Sequence, residues 1–179
     1  MKSIDVSWDL GPTVVDGTMT LPEHPGMFPG VIFVAGSGPT DRNWESPLLP
    51  GANGTARILA EKLASHGYIT LRYDKRVTGP HAQHNLPFLS GRISLESHFE
   101  EISSAYAILL KQKEVDPDQI FVLTSSEGAL HALFYQLHDG VKPFHGMVLT
   151  GVPGRPLNEV TRTQVVSQLQ VLPNAHEEL

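Results

Sequence analysis

Residues 121–129 read FVLTSSEGA, an apolar run of strand type that stops at small and polar residues. A helical pattern follows at once, because five apolar residues recur at the spacing of one helix face: Ala129, Leu130, Leu133, Phe134 and Leu137. Ser126 lies at the junction between the predicted strand and the predicted helix. A serine on such a tight turn projects from the edge of the sheet at the positive end of a helix, a position that suits a nucleophile.

The chain on either side of this stretch alternates between strand and helix patterns. Two alternating segments, 3–8 and 13–21, predict an antiparallel hairpin around the turn at Gly11-Pro12. Further strands are predicted at 31–35, 69–73, 120–124 and 147–149, and further helices at 56–66, 93–113 and 157–171. The run Val31–Ala35 is apolar without alternation, as in strands buried on both faces of a parallel sheet. This order predicts an α/β fold whose ligand site lies beyond the carboxyl ends of the strands.

Several segments carry more specific structural expectations. Residues 22–29 are rich in proline and predict a connector, and 77–92 predict an irregular excursion. Helix 56–66 is expected to bury Ile58, Leu59 and Leu63 and to end at Gly67. Helix 93–113 is expected to start at a Ser94 cap, or one turn later at a capping box formed by 97–100.

Composition narrows the classes of function. A length of 179 residues suits one domain, and a net charge of -6 without a Lys/Arg cluster argues against nucleic acid as a partner. No apolar run approaches the ~20 residues that a membrane span needs, and the acidic N-terminus lacks a signal peptide, so a cytoplasmic location is expected. The absence of cysteine excludes disulfides, thiolate metal sites and a cysteine nucleophile. We expect neither a metal nor a cofactor.

The residues around Ser126 fit the geometry of acyl transfer. The positions two before and two after a nucleophile on such a turn must be small, and Thr124 and Gly128 occupy them. Acyl transfer also needs two N–H groups that bind the developing oxyanion. We expect them from Glu127, directly after the serine, and from Ser37, between Gly36 and Gly38 in the loop after strand 31–35. Gly36 and Gly38 are the predicted substrate-binding residues of this loop, beside the nucleophile.

Three motifs together resemble the α/β-hydrolase superfamily, in its branch of bacterial esterases and serine aminopeptidase-like hydrolases. They are AGSGPTDR at 35–42, RYDKRV at 72–77 and TSSEGA at 124–129, and their order and spacing also match. The resemblance covers about residues 13 to 171. Two departures are Thr124-Ser125, where the family has Gly-His, and Val77, where it has glycine.

The resemblance implies a division of the chain and a function. Residues 1–154 would be the N-terminal part of the hydrolase core, lacking the last two strands, and 155–179 the start of a helical lid. The chain would be a serine hydrolase of carboxylic esters that forms an acyl-enzyme at Ser126. Its catalytic Asp or Glu and its His would come from sequence beyond this chain.

Two other functions stay open from the sequence. A peptidase-type hydrolase of the same fold would use the same nucleophile and oxyanion groups. Alternatively, the chain is a non-catalytic fragment or interaction module, since the strand 147–149 would be an open apolar edge. The partner at that edge would be the missing C-terminal part or a second copy, whereas the enzyme would take a small-molecule ester.

Other residues have a structural interpretation beside a functional one. Asp74 is interpreted as an ion-pair partner of Lys75, Arg76 or Arg42 rather than as a catalytic acid. Trp44 is a candidate binding residue that lines an acyl pocket, or it packs its own loop. The dyads His81/His84 and His131/His138 have the spacing of metal pairs but no acidic third ligand, and surface histidines are the favoured interpretation. Gly36-x-Gly38 resembles half of a dinucleotide fingerprint, but Pro39 stands where a helix should begin.

Overall fold

A six-stranded mixed sheet forms the centre of the molecule in the computed structural model, which describes residues 1–48 and 50–170. The sheet has the order β1-β2-β4-β3-β5-β6. Its strands are β1 Lys2–Leu10, β2 Thr13–Leu21, β3 Phe28–Val34, β4 Ile69–Tyr73, β5 Val115–Ser125 and β6 Gly146–Thr150. β1 and β2 form the predicted antiparallel hairpin, and β2 also pairs antiparallel with β4. The pairs β3–β4, β3–β5 and β5–β6 are parallel, which confirms the predicted α/β class.

Two strands begin earlier than the sequence predicted. β3 includes Phe28 and Pro29, which were expected in the connector, and β5 includes 115–119, where a turn at 116–118 was expected. The pairing of these two strands shifts register between Phe28 and Gly30. A proline cannot donate to the ladder, so Pro29 fits such an irregularity and not a regular pair. The turn residues are thereby accommodated within the strand.

The described residues form five helices, of which α1 to α4 pack against strands of the sheet: α1 Thr55–Ala64, α2 Ala82–Leu89, α3 Leu95–Leu110, α4 Gly128–Gln136 and α5 Leu157–Gln170. The Ser94 cap of α3 is confirmed, and its capping-box partner is Ser97. The last position of the predicted helix 157–171 lies outside the described residues. A helix also forms at α2, in the segment predicted to be irregular and despite Pro87 within it.

Asn85 explains the unexpected helix α2. Its side chain is fully buried, accepts a hydrogen bond from the N–H of Val14 and donates to the carbonyls of Val14 and Arg76. These three bonds tie α2 to the hairpin and to the end of β4. Tertiary contacts of this kind override local propensity, which a proline-containing segment does not reveal.

The buried face of α1 differs from the prediction. Alanines make that face, namely Ala56, Ala60 and Ala64. Ile58 is 55% exposed, Leu59 is also exposed, and only Leu63 packs against the core beneath the helix. Small side chains let the helix axis approach the sheet closely, and the apolar residues beside them consequently turn outward.

Helix α4 buries small residues in the same way. Its buried residues are Gly128, Ala129, His131, Ala132 and Tyr135. Leu130, Leu133 and Phe134 are half-buried, and Leu137 is 82% exposed. The larger apolar side chains of α4 therefore line an outer surface, and its smallest ones meet the sheet.

Candidate active site

Ser126 occupies a sharp turn between β5 and α4, with its backbone in the left-handed region at φ 52°. It is exposed, its N–H donates to the carbonyl of Thr150 at 2.8 Å, and its own carbonyl accepts from Ala129 at 3.0 Å. A non-glycine residue in this region costs roughly 1–2 kcal/mol, so the surrounding structure must impose the turn. The predicted position of the serine at the strand–helix junction is confirmed.

Two glycines permit the close backbone approach around this turn. A Cβ on Gly128 would lie 2.6 Å from the carbonyl oxygens of Val34 and Ala35. A Cβ on Gly36 would lie 3.0 Å from the Ser125 carbonyl oxygen and 3.1 Å from the Ser126 Cβ. The end of β3 and the loop after it are therefore packed directly against the serine turn.

Thr124 is accommodated where the family has glycine. Its side chain is fully buried, and its hydroxyl donates to the Val148 carbonyl on β6 at 3.3 Å. The Thr124 side chain is thus accommodated beside β6, where its hydroxyl is hydrogen-bonded. This departure from the motif leaves the close contact at Gly128 unchanged.

The two predicted oxyanion donors follow two neighbouring parallel strands, Ser37 after β3 and Glu127 after β5. Glu127 is the N-cap residue of α4, and Ser37 is exposed in the loop that Gly36 packs against Ser126. Within residues 1–48 and 50–170, neither backbone N–H donates a hydrogen bond to a protein acceptor. Both groups are therefore available to a ligand.

Lys75 holds the loop that carries Ser37. Its ammonium donates to the carbonyls of Gly36 and Gly38, each at 2.6 Å, and only 6% of the residue is exposed. Burial lowers the pKa of Lys75, while the carboxylates of Glu101 and Glu127 raise it. The predicted binding residues Gly36 and Gly38 are thus the two ends of a lysine-bridged segment.

Asp74 is an ion-pair residue, and Arg42 is its partner among the three predicted candidates. The Arg42 N–H donates to Asp74 Oδ1 at 2.7 Å, and its Nε donates to Oδ2 at 2.9 Å. The terminal Nη2 lies 2.7 Å from the same Oδ2. This two-pronged contact fastens the loop after β3 to the end of β4.

His131 is buried, which corrects the expectation of a surface residue. Its ring stacks on that of His98 with centroids 3.9 Å apart. Burial lowers the pKa of His131 to about 3, and the neighbouring His98 acts in the same direction, opposed by Glu101. His131 is therefore a neutral core residue under ordinary conditions.

Sequence reasoning missed the buried network around Glu101. The carboxylate accepts from the backbone N–H of Arg76 at 2.9 Å, from its Nε at 3.2 Å, and from His98 Nδ1 at 3.1 Å. Burial by itself raises the pKa of Glu101, but the hydrogen bond and charge of His98, with those of Arg76, bring it below the ordinary value. The i, i+3 spacing of His98 and Glu101 on α3 was the one signal in the sequence.

Two clefts border the proposed oxyanion groups. A cleft of about 670 Å³ has hydroxyl and amide side chains in its wall and is lined by Ser37, Gly38, Thr40, Ser46, Thr163 and Gln164, among others. A cleft of about 490 Å³ is mainly apolar and is lined by Glu127, Leu130, Phe134 and Leu137, among others. Trp44 lines neither of these two clefts. It packs against Phe33 with ring centroids 5.7 Å apart, and its role as a binding residue stays a prediction.

Known proteins resemble this chain in sequence and in fold. No family model matches the chain. Esterase EstD of Thermotoga maritima is 31% identical over 165 residues, which are 91% of this chain and 37% of that protein. A thermostable carboxyl esterase from Bacillus coagulans superposes with a TM-score of 0.66 at 20% identity, covering 94% of this chain and 50% of that one.

A second solved structure agrees with the first. The dienelactone hydrolase-like phosphotriesterase P91 from metagenomic libraries superposes with a TM-score of 0.63 at 18% identity, covering 84% of this chain and 59% of that one. The chain has the α/β-hydrolase fold of these structures and is similar in sequence to an esterase. It spans about a third of the length of EstD and about half or slightly more of these two structures. In its described part, no helix is both long and apolar enough to cross a membrane.

Proposed function

We propose that this α/β-hydrolase chain carries the nucleophile and the oxyanion hole of a serine hydrolase that acts on carboxylic esters. The observation that carries the proposal is Ser126, exposed at φ 52° on the strand–helix turn. The N–H groups of Ser37 and Glu127, which have no protein acceptor among the described residues, would form the oxyanion hole. The similarity to an esterase over 91% of the chain supports the ester as substrate.

The reaction would proceed through an acyl-enzyme. The Ser126 Oγ attacks the carbonyl carbon and passes its proton to a general base, and the carbonyl oxygen becomes an oxyanion held by the two N–H groups. Collapse of this intermediate breaks the bond to the alcohol, which takes up the proton as it leaves. Water, losing a proton to the base, then attacks the acyl carbon, and the bond to Ser126 Oγ breaks, which releases the carboxylic acid and returns the proton to the serine. Each N–H donor is worth about 3 kcal/mol of transition-state stabilisation.

The base and its acidic partner are expected from polypeptide outside the described residues. Within those residues, no hydrogen bond joins the Ser126 hydroxyl to a histidine. His98 and His131 are engaged in the buried network around Glu101, away from proton transfer. In the family motif order, the acid and the histidine follow the serine along the chain.

Active-site labelling of the complete gene product tests this proposal. A fluorophosphonate probe should add once, and peptide mapping should locate the adduct on Ser126. Ser126→Ala should abolish the adduct, and the adjacent control Ser125→Ala should retain it. An adduct that persists in Ser126→Ala would disprove the assignment of the nucleophile.

A peptidase of the same fold is the nearest alternative, because esters and amides pass through the same oxyanion. One structural neighbour is an acylaminoacyl peptidase from Pyrococcus horikoshii, with a TM-score of 0.59 at 16% identity. Turnover of a p-nitrophenyl ester against the p-nitroanilide of the same acyl group separates the two activities. Faster turnover of the anilide would favour the peptidase.

An interaction module is the second candidate, and one observation favours it. Among the described residues β6 pairs only with β5, and Val148 on β6 is 51% exposed. Apolar strands with an unpaired side readily add a further strand. The expected partner is the C-terminal part of the parent protein or a second copy.

A further inference from the structure

Lys75 is a buried cation with an unusual set of partners. It follows β4 by two residues, and within the described residues its ammonium has no carboxylate within 4.0 Å. Its two hydrogen bonds go to backbone carbonyls, those of Gly36 and Gly38. Burying an ammonium is costly unless its hydrogen-bond donors are satisfied. A buried lysine at this site therefore calls for a specific role of its positive charge.

The planarity of the peptide bond links this contact to the proposed oxyanion hole. The Gly36 carbonyl and the Ser37 N–H belong to one peptide unit, and the structure has no cis peptide bond among its described residues. In a trans unit the C=O and N–H point in opposite directions. Because the Gly36 carbonyl points at Lys75, the Ser37 N–H points away from it. The second contact, at Gly38, precedes Pro39, which has no N–H, and fixes the far end of the loop.

We propose that Lys75 is a positioning residue for the oxyanion hole: its ammonium orients the Gly36–Ser37 peptide and polarises it, so that the Ser37 N–H becomes a stronger donor. The inference rests on the proposed function. A carbonyl that accepts from a cation withdraws electron density from its own amide, and hydrogen bonds in such a chain strengthen one another. The ammonium also places a positive charge one peptide unit away from the developing oxyanion.

Lys75 is not a candidate for the missing general base. A base must present a lone pair to the serine, whereas an ammonium that donates two bonds at 2.6 Å is held in its charged form. Burial lowers the pKa of Lys75, opposed by the carboxylates of Glu101 and Glu127, so the assignment rests on the two donated hydrogen bonds. The lysine therefore acts through the loop and not by proton transfer.

Kinetics of the complete gene product test the positioning role. Lys75→Met keeps the stem and removes the donors and the charge, and kcat for an ester should fall at least tenfold with little change in KM. The fluorophosphonate labelling rate should fall in parallel, and Lys75→Arg should restore part of both. The matched control Lys62→Met removes an exposed lysine of α1 and should leave both unchanged. A folded Lys75→Met variant with wild-type kcat would overturn the inference.

A spectroscopic measurement covers the case in which Lys75→Met does not fold. In the wild-type protein, with ¹⁵N-lysine and ¹³C-carbonyl glycine labels, the ammonium should show through-hydrogen-bond couplings to two glycine carbonyls. Absence of these couplings would contradict the proposal directly. If Ser126 is not labelled in the wild type, the proposed function fails, whereas the couplings still report on the lysine contact.

Discussion

Ser126 holds a backbone conformation that works against the stability of the fold. Its φ of 52° suits glycine and is costly for serine. Backbone strain of this kind occurs often at functional sites, where stability is lost for the sake of function. The proposed role of Ser126 as a nucleophile would account for it.

Replacing the strained serine by glycine should therefore stabilise the protein. For Ser126→Gly we expect a gain of about 0.5–1 kcal/mol in the free energy of unfolding, because relief of ~1–2 kcal/mol of strain exceeds the extra entropy of unfolded glycine. Ser125→Gly, one residue earlier in β5, should instead lose about 0.5–1 kcal/mol. Urea unfolding of both variants gives the comparison. Destabilisation by Ser126→Gly would show that the turn is not strained.

Gly128 should tolerate no side chain. In Gly128→Ala the new Cβ would meet two backbone carbonyl oxygens at 2.6 Å, which cannot rotate away. We expect a loss of about 1–3 kcal/mol, the usual cost of overpacking, together with loss of labelling at Ser126. Gly154→Ala is the control, since a Cβ there has no neighbour within 4 Å, and its stability should change by less than about 0.5 kcal/mol. Equal unfolding midpoints would contradict the close contact.

At the scale of elements, α3 is fastened to the end of β4 by charge. Glu101 on α3 is buried, whereas its neighbour Glu100 has a side chain that is 57% exposed, and both contact Arg76. Glu101→Ala should cost about 3–5 kcal/mol, because it leaves the buried Arg76 cation without its principal partner. Glu100→Ala removes a solvent-screened pair and should cost less than about 1 kcal/mol. Chemical denaturation that gives similar losses for both would refute this ranking.

Packing of His131 between α4 and α3 should make stability depend on pH. The pKa of His131 is about 3 in the folded protein against an ordinary 6.5. Between these two pH values the imidazole is therefore protonated in the unfolded chain but neutral in the folded one. The contribution of neutral His131 is complete above pH 6.5 and falls by up to about 1.4 kcal/mol per pH unit below it. The titratable groups nearby are His98, Glu101 and Lys75.

The comparison of two variants isolates this group. Between pH 6.5 and 5, His131→Phe should show a flatter loss of stability than the wild type, as measured by urea unfolding at each pH. Glu101 also loses its contribution in acid, but that loss starts below its ordinary value of 4.5. His66→Phe, at an exposed site in the turn after α1, should retain the wild-type slope. Parallel curves for His131→Phe and wild type would contradict a buried neutral histidine.

The sequence predicts where helices and strands form better than it predicts which side of a helix is buried. The hairpin, the parallel strands and the Ser94 cap follow from local patterns and turn residues. The buried sides of α1 and α4 do not, because a face of alanine and glycine carries little hydrophobic signal although it packs closest to the sheet. Helix α2 and the Glu101 network depend on partners far away in the chain, which periodicity cannot show.

The same division holds for the candidate site. Ser126 and the loop at Ser37 were predictable, since a tight turn and a close approach require particular small residues at fixed spacing. The contacts of Lys75 were not predictable, because the sequence indicates a charge after a strand but not the carbonyls to which it donates. Of the three possible ion-pair partners that the sequence offered for Asp74, the structure shows Arg42.

At the scale of the whole molecule, β6 should govern association. Val148→Lys places a charge on this strand and should reduce concentration-dependent self-association of the 179-residue chain, as followed by sedimentation velocity. Val166→Lys, at a similarly exposed valine on α5, should have no such effect. A chain that is monomeric at every concentration would count against the edge as a pairing surface.

The hydrogen bond from Ser126 to Thr150 has a consequence for biosynthesis. The serine is tied to the last residue of β6, which the ribosome adds 24 residues later. A nascent chain that has emerged only as far as α4 holds a serine whose backbone is not yet fixed. This hydrogen bond forms only when β6 joins the sheet, so we expect the turn at Ser126 to be completed late in synthesis.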